Sequence, residues 1–197
     1  MIPESMKYVY RIMVDFYEKL EEEFENEGRS GCGFHLKKAN QLKTMANGYM
    51  QEAKWLKEKY TATFDEYMEN ALVTSGYYSV SAMTFSRMGS VANLDAFEWL
   101  SSNPKIRVAS EKIGRFTDDI STYEEQAVEG INIMLSDAWK DMNQELMRPH
   151  SCPFPLLMRI FNPCRVVDVF YRYQDCYTHP EFLKEHIVSL FIEDIPI

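Results

Sequence analysis

The sequence predicts an all-α protein. Almost every segment repeats its apolar residues with a period near 3.6, no stretch has the strict alternation of a half-buried strand, and caps and breakers punctuate the chain at helical intervals. Pro3 opens a first helix in which Met6, Val9, Met13, Phe16, Leu20 and Phe24 form the apolar stripe, and Gly28 with Gly31 ends it. Its Glu21-Glu22-Glu23 run reads as a solvated face. A second helix carries Leu36, Ala39, Leu42, Met45, Tyr49, Ala53 and Leu56 at the same spacing, with His35 near its start as a surface or capping residue. The third begins at the capping box Thr63-Phe64-Asp65-Glu66, where hydroxyl and carboxylate satisfy exposed amides reciprocally, and runs toward Gly89. Inside it Thr74, Ser75 and Gly76 place small residues and a glycine, which costs roughly 1 kcal/mol relative to alanine in a helix interior. That pattern predicts a kink, made either by a close helix crossing or by a functional break that opens backbone carbonyls to a cavity. A short helix follows around Leu94 to Leu100, and Asn103-Pro104 then supply an N-cap and a first helical residue for a helix carrying Ile106, Ala109, Ile113 and Phe116. A long helix holds Ala127, Ile131, Met134, Ala138, Trp139, Met142 and Leu146, with Pro149 and Pro153 at its exit. Met158 to Tyr173 is helical in pattern, and Pro163 is expected to kink it. Thr178-His179-Pro180 starts a last helix that ends near Phe191.

A chain of 197 residues with 46% hydrophobic content can bury a proper core, and it reads as one domain over 1–197. A formal net charge of -9 argues against a nucleic-acid partner, which needs a concentrated basic face. No apolar run approaches the ~20 residues that span a bilayer, so no membrane segment is expected. Cys32, Cys152, Cys164 and Cys176 form no CxxC pair and nothing resembles a secretory signal, which fits free thiols in a reducing compartment, the cytoplasm.

Charge, a hydroxyl and an apolar helix coincide at Arg115-Phe116-Thr117-Asp118-Asp119-Ile120-Ser121-Thr122. An acid pair one turn after an arginine, in a segment patterned for burial, is costly unless an ion there offsets the desolvation. Arg115, Asp118 and Thr122 fall within two turns on one stripe. Two carboxylates and a hydroxyl are hard oxygen donors that suit magnesium, which shares its shell with substrate phosphates, and Arg115 would face those phosphates. The alternative is a solvated acidic turn near a helix end.

The order of motifs resembles the C-terminal, metal-binding portion of a plant class I terpene synthase of the sesquiterpene cyclase type, similar to cadinene synthases. The likeness rests on Ile2-Pro3-Glu4-Ser5-Met6-Lys7, on Phe97-Glu98-Trp99-Leu100-Ser101-Ser102-Asn103-Pro104-Lys105-Ile106, on Asp137-Ala138-Trp139-Lys140-Asp141-Met142-Asn143 and on Tyr177-Thr178-His179-Pro180. The resemblance implies part of the class I terpenoid synthase helical bundle and magnesium-dependent ionisation and cyclisation of a prenyl diphosphate, with farnesyl diphosphate as substrate and manganese as an alternative metal. It also implies site residues. In the family's second metal motif an Asn or Asp, an Asp, a Ser or Thr and a Glu follow an arginine that meets the diphosphate. Arg115 matches the arginine, and Asp118, Asp119, Thr122 and Gln126 match the motif, with Glu125 as a possible substitute for the neutral Gln126. Tyr171, Asp175 and Tyr177 match residues that close over the cavity.

Three departures accompany the likeness. The family's aspartate-rich motif lies ahead of the Ile2-Pro3 stretch, and no DDxxD occurs here. Gln126 replaces an ionised ligand. About 25 residues, some seven helical turns, that the family carries before the Trp139 helix are missing after about residue 120. Ser121 to Gln126 then read either as the end of the metal motif or as a capping box for the Trp139 helix, and the Glu124-Glu125 pair fits the box better. A rival reading is an inactive helical remnant or binding module that keeps the family scaffold.

Overall fold

Ten α-helices and two 3-10 turns order the residues described by this computed structural model, 4–39, 42–122, 125–171 and 175–193, and no strand occurs among them. Side chains at 5, 6, 38, 39, 42, 43, 122 and 125–128 also lie outside the described set, and with them Met6, Ala39, Leu42 and Ala127 of the expected stripes. In chain order the helices are α1 (Glu4–Asn26), α2 (Cys32–Ala39), α3 (Leu42–Glu58), α4 (Phe64–Thr74), α5 (Tyr77–Ser86), α6 (Leu94–Ser101), α7 (Lys105–Thr122), α8 (Glu125–Glu145), α9 (Phe154–Tyr171) and α10 (Lys184–Phe191).

The α7 stripe organises the bundle. Ile106, Ala109, Ile113 and Phe116 recur at helical spacing, all are buried, and α7 packs on α4, α5, α8 and α9. On α9, Leu156, Leu157, Ile160, Cys164 and Val167 close the same core. At its other end Phe97 meets Phe24 and Phe85 edge to face, each at 6.1 Å between ring centroids, a geometry that adds about 0.5–1.5 kcal/mol per pair beyond area burial. Arg29 is buried there, donating to the carbonyls of Phe85, Ser86 and Ala92, so its guanidinium satisfies acceptors left open at the ends of α5 and of the 3-10 turn Gly89–Val91.

Several sequence expectations change in the structure. The single second helix is two, α2 and α3, on either side of residues 40–41. Its stripe is buried at Leu36 but exposed at Tyr49, Ala53 and Leu56, because α3 packs chiefly on α4. Val9 and Phe16 of α1 are likewise exposed, since α1 leans mainly on α2, and among the described side chains of that stripe only Leu20 and Phe24 are fully buried. The third helix does not reach Gly89. It starts at the expected box, with Glu66 N donating to Thr63 Oγ1 and Thr63 N donating to Glu66 Oε2, and it stops at Thr74.

The stop is set by Gly76, whose φ of +74° is left-handed and open to glycine at little cost. Of the two causes weighed for this segment, the structure shows a close helix crossing, made at Gly48 of α3. A Cβ on Gly48 would lie 2.7 Å from Thr74 Cγ2, so α3 and α4 cross closely, and the freed Thr74 carbonyl accepts from Tyr49 Oη at 3.1 Å. Asn103 is not the expected N-cap of α7. Its φ is +60°, tolerated by a short polar side chain, and its Oδ1 accepts from the Arg107 guanidinium, while the Pro104 carbonyl takes the first helical bonds from Arg107 N and Val108 N. Pro163, the expected site of a kink, lies inside α9, which is one element from Phe154 to Tyr171. The last helix begins later than expected, because Pro180–Leu183 is a 3-10 turn leading into α10.

Candidate functional site

Midway along α7, Gly114 lets the Tyr77 ring of α5 pack close against the backbone, and Arg115 and Asp118 line a cavity beside that contact. A Cβ on Gly114 would stand 2.2 Å from the Tyr77 ring. The cavity there has a volume of about 250 Å³ and is walled by Arg115 and Asp118 from α7, Thr74, Ser75 and Tyr77 from the α4–α5 break, Val167 and Tyr171 from α9, Tyr177 from the following loop, and Tyr49 and Glu52 from α3. Arg115, Asp118, Tyr171, Tyr177, Thr74 and Ser75, all singled out in the sequence, are thus brought together.

Bonding within the site is dense. The Arg115 guanidinium pairs with the carboxylates of Asp118 and Asp119, and Tyr171 Oη donates to Asp118 Oδ1 at 2.9 Å. Burial opposes the Arg115 charge, yet the hydrogen bond and charge of Asp119, with Tyr67 and Asp118 behind it, hold its pKa above the ordinary guanidinium range. Burial first, and then the Asp118 carboxylate, push the Tyr171 phenol upward, so it remains a donor at neutral pH. Tyr77 and Tyr177 are pushed up chiefly by burial. Tyr177 leans over Tyr171 with ring centroids 5.9 Å apart and packs on Phe170 at 4.9 Å.

The other candidates separate from this group. Asp119, still bonded to Arg115 through Nε at 2.9 Å, turns to the α4 side of α7, where Tyr67 Oη donates to its two oxygens at 2.7 and 2.8 Å. That side opens on a larger cavity of about 780 Å³ with mostly apolar walls, including Trp55, Phe64, Met68, Phe116, Ile131 and Met134. Asp175 caps its own turn, accepting from Tyr177 N at 2.8 Å and from Thr178 Oγ1, and the Thr178 hydroxyl holds its carboxyl below the usual range. The side chains of Thr122, Glu125 and Gln126 lie outside the described residues.

Glu52, Tyr67 and Gly114 were not foreseen. Glu52 accepts from Asn70 Nδ2 at 3.0 Å and from Thr74 Oγ1 at 2.9 Å, and it lines both cavities. A glycine in the interior of an amphipathic helical pattern was the one sequence signal available, for Gly114.

Among the described residues no group of three His, Cys, Asp or Glu stands ready to hold a metal ion. Magnesium nonetheless fits the donors present. It binds through one or two carboxylates and keeps waters or substrate phosphates for the rest of its octahedron, and Asp118 offers a partly exposed carboxylate on the cavity wall.

Fold and site together define an all-α protein with an acid–arginine cluster at the centre of its bundle. Residues 1–136 match the family model described as terpene synthase family, metal binding domain. The chain belongs to the terpene synthase family. It is 64% identical to the alpha-humulene/(-)-(E)-beta-caryophyllene synthase of Arabidopsis thaliana over all of this chain and 40% of that protein. It is 42% identical to a sesquiterpene synthase of Santalum austrocaledonicum over 98% of this chain and 38% of the other. The chain therefore spans about two fifths of the length of these curated relatives. Isoprene synthase from grey poplar leaves (Populus x canescens), solved in complex with three Mg2+ ions and dimethylallyl-S-thiolodiphosphate, has the same fold, with a TM-score of 0.84 at 22% identity over 99% of this chain and 41% of that one.

Proposed function

We propose that this chain forms the magnesium- and diphosphate-binding wall of a sesquiterpene cyclase site whose substrate is farnesyl diphosphate. The observation that carries the reading is that Arg115 and Asp118 share one cavity wall opposite the Tyr171 hydroxyl. Asp118 would hold the metal, with Thr122 and Gln126 or Glu125 as further donors. Magnesium, or manganese in its place, neutralises the charge that grows on a departing diphosphate. Arg115 would bind the phosphates, and Tyr77, Tyr171 and Tyr177 would present an aromatic wall that keeps water from the prenyl chain. Asp175 would act through the turn it caps, by setting the angle at which Tyr177 covers the cavity. The break at Thr74, Ser75 and Gly76 would shape the cavity floor.

A deletion between α7 and α8 is part of the same reading. It is supported by the relative's alignment, which extends over 219 positions against the 197 residues of this chain. The cytoplasm is the proposed location, in keeping with four buried free cysteines and with the absence, among the described residues, of a helix long and apolar enough to cross a membrane. The lack of a three-acid group among those residues favours a second reading, a scaffold that binds without turnover.

The test is equilibrium dialysis of labelled farnesyl diphosphate against the protein with and without excess magnesium. Retention should require magnesium and fall about tenfold or more in Arg115→Ala, as expected for loss of a charge-assisted phosphate contact. Retention that ignores both changes would contradict the reading.

A further inference from the structure

We propose that the larger cavity, about 780 Å³ between α3, α4, α7 and α8, is a binding site for a small neutral apolar molecule, of the class of hydrocarbons and their simple alcohols. Arg115 and Asp118 line the smaller cavity and not this one, so the site stands apart from the magnesium–diphosphate reading and does not depend on it.

Three observations converge on that ligand. The apolar stripe of α8 is covered over only part of its length. Ala138 and Met142 are buried in the core, while Met134 and Ile131, one and two turns earlier, are half-buried and line the cavity. On the facing wall Trp55 of α3 and Met68 of α4 are half-buried and Phe64 is 53% exposed, so both walls leave apolar surface to water, and removing such surface from water is favourable in proportion to its area. The volume supplies the second observation, because it falls within the roughly 300–1,000 Å³ of small-molecule sites and is far larger than one or two waters need. Charge supplies the third. Glu52 and Asp119 are the charged groups among the described lining residues, and no Lys, Arg or His is among them. Asp119 is neutralised by Arg115 and bonded by Tyr67, which leaves Glu52, held by the neutral donors Asn70 and Thr74, to set the sign of the field. An anion entering the cavity would lose hydration beside a carboxylate of its own sign, and a neutral apolar molecule meets neither penalty.

The experiment is fluorescence titration of the full chain with two probes, neutral N-phenylnaphthylamine and anilinonaphthalene sulfonate, which adds a sulfonate to the same skeleton. Wild type should bind one neutral probe per chain, saturably, and the sulfonate about tenfold more weakly, a gap that Glu52→Gln should narrow. Met134→Trp and Met68→Trp fill the cavity from opposite walls, and each should weaken the neutral probe about tenfold or more. Ile133→Trp, beside Met134 but 61% exposed, should leave its affinity unchanged. Thermal unfolding and sedimentation velocity of each protein check folding and oligomeric state. A filling variant that fails to fold leaves the other to decide, and if both fail the Glu52→Gln comparison decides. No saturable binding by wild type, wild-type affinity in a folded filling variant, or equal affinity of wild type for the two probes would overturn the proposal. A wild-type dimer that the filling variants dissolve would overturn it too, because the occupant would then be a second copy of this chain.

Discussion

Tyr171 Oη donates to Asp118 Oδ1 across 2.9 Å and ties α9 to the acidic turn of α7. The bond joins residues 53 apart in sequence, and with burial it keeps the phenol protonated. Tyr171→Phe should cost about 1.5–3 kcal/mol, the net worth of one hydrogen bond to a charged group, measured by urea unfolding. A variant as stable as wild type would mean that the bond contributes nothing to the α7–α9 packing.

Gly114 should not tolerate even one added methyl. With the new Cβ placed 2.2 Å from the Tyr77 ring, Gly114→Ala should destabilise by about 1–3 kcal/mol and push Tyr77 into the cavity. Gly130→Ala is the matched control, since nothing lies within 4 Å of its Cβ and α8 should gain up to about 1 kcal/mol. Thermal unfolding of the two variants should move in opposite directions.

Burial pushes the Glu111 carboxyl up to about 7, with Arg107 at 2.8 Å pulling partly the other way. The folded state therefore binds a proton more tightly than the unfolded chain. That contribution to stability is complete below the ordinary carboxyl value of 4.5 and is lost as pH rises through 7. Unfolding free energy measured from pH 5 to 8 should fall with a slope that Glu111→Gln flattens. Parallel pH profiles for the two proteins would remove Glu111 as the cause.

Much of the fold is legible in the sequence because its signals are local. The Thr63 to Glu66 box, the stripe from Ile106 to Phe116 and the breaker Gly76 each act within two turns, and each occurs in the structure where periodicity and backbone chemistry put it. The failures have a shared cause. Asn103 looks like a cap until its side chain meets Arg107, and Val9, Phe16, Tyr49 and Leu56 look like core until their helices are seen to have one neighbour each as main support. In the candidate site, the Arg115-Asp118-Asp119 cluster was visible as a string, but periodicity alone could not say which aspartate faces the cavity. Glu52 and Tyr67 carry no local motif at all; only the crossing of α3 and α4 behind α7 brings them in.

Turnover is a sterner requirement than binding. Ionising a prenyl diphosphate needs several preorganised positive charges around the leaving group, and such preorganisation is commonly the largest contribution to lowering the barrier. Arg115 supplies one such charge on the cavity wall, and no DDxxD motif occurs in the 197-residue sequence. The 197-residue polypeptide alone, incubated with magnesium and farnesyl diphosphate, should therefore yield no volatile hydrocarbon above a protein-free control. A magnesium-dependent cyclic product that disappears in Asp118→Ala would reverse this expectation.

The central claim is that Asp118 and Arg115 act jointly on a magnesium-bound diphosphate, and calorimetry tests it most directly. Inorganic diphosphate is titrated into the protein with magnesium present and absent, for wild type and for Asp118→Ala. With few protein carboxylates at the site, the metal shell must be completed by phosphate oxygens, so wild type should release heat only when both ions are present, and Asp118→Ala should lose most of that heat. Indistinguishable heats for the two proteins would contradict the account.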